Sequence, residues 1–215
     1  MIRLIAIFCL IAAPLLAGPW MREEGGQFLS VSADFGLGGG ADGYGALYYE
    51  FGLEPRWTLG IDAGGKGNGE TTALVFARTP LWRSPQGARL AATLALGSHR
   101  PTGGHGVPAL RAGLAWGRGI DPGLPGWMAL ELSHQWRGGG LAAQNKLEAT
   151  LGLRWRHDRE AMLQVTAEKT AGQAVALSLA PAVVWQVGEA GHLVTGLRLR
   201  DDGAAALTVA LWRRF

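Results

Sequence analysis

The chain has 215 residues, of which 34 are glycine, 48% are hydrophobic and 17% are charged, and its formal net charge is +3. So much apolar side chain excludes a disordered, solvated polypeptide, and the length suits one domain with a substantial buried surface. Charges of both signs are interspersed without a basic stripe, which excludes a nucleic-acid partner.

Residues 1–17 read as a signal peptide. Arg3 supplies the positive start, residues 4–13 the apolar core, and Leu15-Leu16-Ala17 before Gly18 a small-residue cleavage site. The run is broken by Pro14 and is shorter than the roughly 20 residues a membrane-spanning helix needs. Cleavage leaves a single domain over 18–215. Cys9, the one cysteine, departs with the leader, so disulfides and thiolate metal sites are not expected in the mature domain.

Beyond residue 17 the apolar period is two, the period of a half-buried strand. Leu29, Val31, Ala33 and Phe35 oppose Ser30, Ser32 and Asp34, and Leu47, Tyr49, Phe51 and Leu53 oppose Tyr48, Glu50 and Gly52. Leu90, Ala92, Leu94 and Leu96 oppose Arg89, Ala91, Thr93 and Ala95. Leu147, Ala149, Leu151, Leu153 and Trp155 oppose Lys146, Glu148, Thr150, Gly152, Arg154 and Arg156. The most apolar stretch, 174–187, carries Pro181 at its centre, which disfavours a helix, and it too alternates. Only 72–82 lacks a clean parity, because Leu74, Val75 and Phe76 are all apolar.

Twelve segments result: 26–35, 44–53, 57–65, 72–82, 88–98, 108–117, 127–137, 144–156, 160–169, 173–187, 191–200 and 204–215. Their lengths cluster near the 9 to 11 residues with which a tilted strand crosses hydrocarbon. The expected fold is therefore all-β, a transmembrane up-and-down antiparallel barrel of about twelve strands, with a range of about 10 to 14. An even count returns the C-terminus to the side on which the barrel began. The Gly-rich breaks at 36–43, 64–71, 98–107, 138–143, 170–172 and 201–203 then fall outside the cell, and the mostly tighter ones at 54–56, 83–87, 118–126, 157–159 and 188–190 in the periplasm. Trp57, Trp82, Trp116, Trp127, Trp155, Trp185 and Trp212 all lie at the periplasmic strand ends, as an aromatic belt at a membrane interface would.

The last segment, Leu207-Thr208-Val209-Ala210-Leu211-Trp212-Arg213-Arg214-Phe215, alternates and ends on an aromatic residue. It resembles the C-terminal strand of bacterial outer-membrane β-barrel proteins. Arg213 departs from the apolar residue usual two places before the end. The segments 28–32, 58–62 and 147–152 are similar to those of small proteobacterial barrels often labelled transporters. The resemblance implies a place in the cell outer membrane, contact with outer-membrane lipid, and recognition by the barrel-assembly machinery through a C-terminal signal at Phe215.

The sequence offers little catalytic chemistry. The Gly-rich breaks lack the Lys-Ser/Thr ending of a phosphate loop and read as hairpin turns, so no cofactor is expected. His99, His105, His134, His157 and His192 share no metal-ligand spacing, and His99 and His105 read as solvated loop residues. Ser133-His134 invites comparison with lipid hydrolases, but adjacent strand residues point to opposite faces, and no enzyme activity is expected. The polar face carries Asp34, Glu50, Asp62, Arg89, Arg111, Glu131, Arg137, Lys146, Glu148, Arg154, Glu168, Arg198 and Arg200, all expected to line the lumen. Twelve strands lie between the eight that side chains fill and the sixteen that leave a wide pore. The leading expectation is a narrow channel or transporter for small polar solutes. The alternatives are a charge-plugged lumen with a structural or interaction role, a lipid hydrolase, and a soluble secreted barrel with its apolar face inward. On the membrane reading, arginine at Leu151 or Leu179 should cost about 2 to 4 kcal/mol, while at Gly152 or Ser178 it should be tolerated better electrostatically.

Overall fold

The computed structural model describes residues 18–38, 43–120 and 125–215. The leader expected over 1–17, and parts of the breaks at 36–43 and 118–126, lie outside the described residues. Twelve strands follow one another: β1 (Gln27–Gly36), β2 (Tyr44–Glu54), β3 (Trp57–Lys66), β4 (Thr71–Arg83), β5 (Arg89–Arg100), β6 (Val107–Ile120), β7 (Gly126–Arg137), β8 (Gln144–Arg156), β9 (Arg159–Thr170), β10 (Val175–Val187), β11 (Gly191–Arg200) and β12 (Ala205–Arg214). Each is antiparallel to its neighbours in sequence, and β1 pairs with β12 from Phe28↔Arg214 to Gly36↔Ala206, which closes the sheet. The backbones of Gln27 and Phe215 exchange two hydrogen bonds at 3.2 and 3.3 Å, sealing the seam where β1 begins and β12 finishes, hereafter the terminus-bearing end.

Alternation determines what faces where. Leu94 and Leu96 are 56% and 60% exposed, while Ala91 and Ala95 between the same neighbours are 0% and 1% exposed. Large apolar side chains thus point out of the barrel along every wall, among them Val75, Leu132, Leu179 and Leu211. A continuous apolar girdle of this kind suits hydrocarbon and is rare on a protein surrounded by water. It overturns the soluble alternative, in which the apolar face would turn inward.

Three bulges, at Gly52/Glu54, Pro80/Trp82 and Arg154/Arg156, all lie close to the turns at the terminus-bearing end. The one at Pro80 falls where proline has no N–H to give the ladder. Within β10, the ladder to β11 runs from Leu179↔Leu199 to Ala182↔Gly196 and skips Ala180 and Pro181, for the same reason.

The aromatic belt is smaller than expected. Trp57, Trp82 and Trp155 are exposed on the outer wall, and Trp116 and Trp185 share its parity. Trp127 is only 3% exposed, and with Trp212 it faces the lumen. Position along the strand put these two at the interface, but parity overrules it: Trp127 shares a face with Glu131, and Trp212 with the buried Ala210. Phe215 stands on the outer side with the Arg213 guanidinium 4.9 Å from its ring centre. That stacking accounts for a charged residue two places from the end, since arginine covers an apolar ring while keeping its head in the interface.

Candidate lumenal site

Three layers of side chains fill the lumen to different degrees. Nearest the terminus-bearing mouth, the fully buried Glu50 carboxylate joins Arg22 and Arg78. Arg78 Nη1 donates to Glu50 Oε1 at 2.5 Å and its Nη2 to the Tyr48 hydroxyl at 2.9 Å, while that hydroxyl donates to Glu50 Oε1 at 2.6 Å. The charges of Glu50, Arg22 and Arg78 meet one another, as burial demands, and removing one member of such a cluster typically costs about 3 to 5 kcal/mol. Across the barrel Trp127 Nε1 donates to Glu160 Oε1 at 2.6 Å, and Arg154 approaches Glu160 at 3.8 Å. Arg89 shares the lumen parity of Ala91 at this mouth, opposite Gly117.

At mid-depth Glu131 of β7 and Glu148 of β8 are direct cross-strand partners. Lys146 reaches Glu148 at 2.7 Å, and Arg111 of the neighbouring β6 pairs with Asp62 of β3. Two cavities meet at Tyr48, Glu131 and Glu148. One, of about 270 Å³, extends past Asp62, Arg111 and Lys146. The other, of about 170 Å³, runs past Ser30, Gln164 and Met162.

Toward the opposite mouth Arg198 pairs with Asp34 at 2.9 Å, and Thr208 Oγ1 donates to the same carboxylate at 2.6 Å. Glu168 accepts from Gln144 Nε2 at 3.3 Å. At the rim, Arg200 turns to Asp202 at 2.9 Å and Arg137 Nε donates to the Ala142 carbonyl at 2.9 Å, so both brace turns.

All thirteen residues expected on the polar face have lumenal parity, but they do not form one open lining. Arg78, Glu160, Arg22 and the inward aromatics Phe28, Phe76, Trp127 and Trp212 were missed. Arg78 was legible through Leu74 and Phe76, which share its parity, had an apolar lumenal patch been allowed: Leu74, Phe76, Ala95 and Ala109 form one, with Tyr48 packed against it. His99 also corrects an expectation. It is 3% exposed within β5 and bonds through Nδ1 to Thr72 Oγ1 at 2.9 Å, and is not a solvated loop residue. His134 contacts Asn145 at 2.7 Å and Trp136 on the outer wall, whereas Ser133 lines the larger cavity. The two point away from each other, as strand parity requires.

The fold is shared with solved outer-membrane channels. The KdgM porin, in a complex with disordered oligogalacturonate, superposes with a TM-score of 0.68 at 8% identity, over 87% of this chain and 99% of that one. The NanC porin gives 0.64 at 8% identity over 85% and 98%, and the COG4313 outer membrane channel from Pseudomonas putida F1 gives 0.61 at 11% over 92% and 97%. No protein-family model and no curated protein matches the chain. At such identities the likeness is one of architecture, and the architecture is that of an outer-membrane β-barrel.

Proposed function

We propose that the protein is a narrow channel in the cell outer membrane for small polar solutes, without enzymatic activity. The observation that carries this reading is the cavity of about 270 Å³ at mid-lumen, walled by Asp62, Arg111, Lys146 and Glu148. Charges of both signs facing a space of that size replace part of a polar solute's hydration without binding it tightly, which permeation requires. Barrel architecture shared with porins supports the same reading. The apolar outer wall supports contact with lipid, and Phe215 beside the β1–β12 seam suits an assembly signal read by the barrel-assembly machinery.

A plugged barrel with a structural role is favoured by one observation, the buried Arg22–Glu50–Arg78 cluster. Planar-bilayer recording separates the two readings. A channel gives discrete conductance, and Glu131→Gln with Glu148→Gln moves its reversal potential toward anions with little change in stability, because solvated charges contribute little. A plug gives no conductance from folded protein, and the same double change destabilises it by several kcal/mol.

A further inference from the structure

Residues 18–26 belong to no strand and cross the lumen near the terminus-bearing mouth. Gly25 donates its N–H to the Gly52 carbonyl at 2.8 Å, and the Gly52 N–H donates to the Gly26 carbonyl at 2.9 Å, which ties one end of the segment to β2. Arg22 pairs with Glu50, donates its backbone N–H to Thr58 Oγ1 at 3.0 Å and lies 4.5 Å over the Phe28 ring. Trp20, 7% exposed, meets Trp127 edge-on with ring centres 6.1 Å apart, on the opposite wall. Pro19 and Trp20 occupy the space left by the absent side chain of Gly117. Gly18 lies deepest. It is buried, its φ is +121°, and a β-carbon placed on it would stand 3.1 Å from Oε1 of Glu131. That φ favours glycine, and an added β-carbon would crowd the carboxylate.

The cations within electrostatic reach of Glu131, Arg78 and Lys146, are bonded to other carboxylates, Glu50 and Glu148. Glu131 sits directly opposite Glu148, and like charges so placed repel. Among the described residues no side chain forms an ion pair or hydrogen bond with the Glu131 carboxylate. What the lumen does place beside it is the start of the crossing segment.

We infer that removal of the leader after Ala17 supplies a further cation: the Gly18 α-ammonium pairs with Glu131 and latches residues 18–26 across the lumen. The inference rests on the cleavage expected after Ala17, and its bearing on permeation rests on the channel reading. Hydrolysis of the Ala17–Gly18 amide by water leaves a carboxylate on Ala17 and an amine on Gly18, which is protonated at neutral pH. Before cleavage the same nitrogen is a neutral amide and carries no charge for Glu131 to pair with.

The test uses protein extracted from outer membranes of cells that make the full chain. Intact mass should place the first residue at Gly18. Treatment with an amine-reactive ester at neutral pH, followed by trypsin and mass spectrometry of the peptide 18–22, reads that one amine apart from Lys66, Lys146 and Lys169. In the folded wild type the terminal amine should react at least about tenfold more slowly than after heat unfolding, because labelling then requires local opening. Glu131→Gln should restore fast labelling. So should one extra glycine between Gly18 and Pro19, which leaves every strand intact should Glu131→Gln fail to fold. A mature chain that starts elsewhere, equal labelling of folded and unfolded wild type, or protection that survives in the folded variants overturns the latch. The readout is chemical, so a barrel that passes no current yet protects this amine retires the channel and retains the latch.

Discussion

The indole of Trp127 occupies the volume that a side chain at Gly152 would need, and the two residues are direct cross-strand partners. An aromatic ring laid over a strand glycine recovers contacts that the glycine cannot make. The electrostatic tolerance expected for arginine at Gly152 is therefore outweighed by want of space. Even Gly152→Ala should destabilise the barrel by about 1 to 3 kcal/mol, because the ring must leave its place against Glu160. A double-mutant cycle checks the cause: in a Trp127→Ala background the same change should cost much less, and equal costs in both backgrounds would refute the contact. The charged positions of the lumen were legible one by one from parity, as Asp62 and Arg198 show. Their partners were not, since Arg111 lies 49 residues from Asp62 and Arg198 lies 164 residues from Asp34.

Individual strands differ in how openly they show their faces. β10 shows both, with Leu177 and Leu179 exposed and Ala180 buried between outward neighbours. Leu179→Arg should cost about 2 to 4 kcal/mol in lipid, since its guanidinium would face hydrocarbon at mid-strand. Ser178→Arg, on the lumenal face, should cost clearly less. Unfolding titrations in lipid vesicles compare the pair, and equal losses would mean that the faces were reversed. β4 hides its faces because Leu74 and Phe76 turn inward and Val75 outward, so both sides are apolar. The inward pair is needed there to pack against Tyr48, whose ring stacks on Phe76 with centres 5.5 Å apart.

As a whole molecule the barrel has no free sheet edge, because β1 and β12 are joined along their length. Opening it means breaking one complete ladder in a single event, so the folded form should survive detergent at room temperature. Unboiled protein is therefore expected to migrate apart from boiled protein on electrophoresis, and identical mobility would refute closure. Strand number, strand bounds to within a few residues, and the outward face all follow from the sequence, because a period of two and glycine-rich breaks are local properties that any closed antiparallel sheet must obey. Contents of the lumen do not. Which residue the inward Trp127 covers, which arginine meets Glu50, and that residues 18–26 return across the barrel instead of trailing from it depend on which side chains closure brings face to face. Those distances are set by register and curvature around twelve strands, and no local pattern in the chain encodes them.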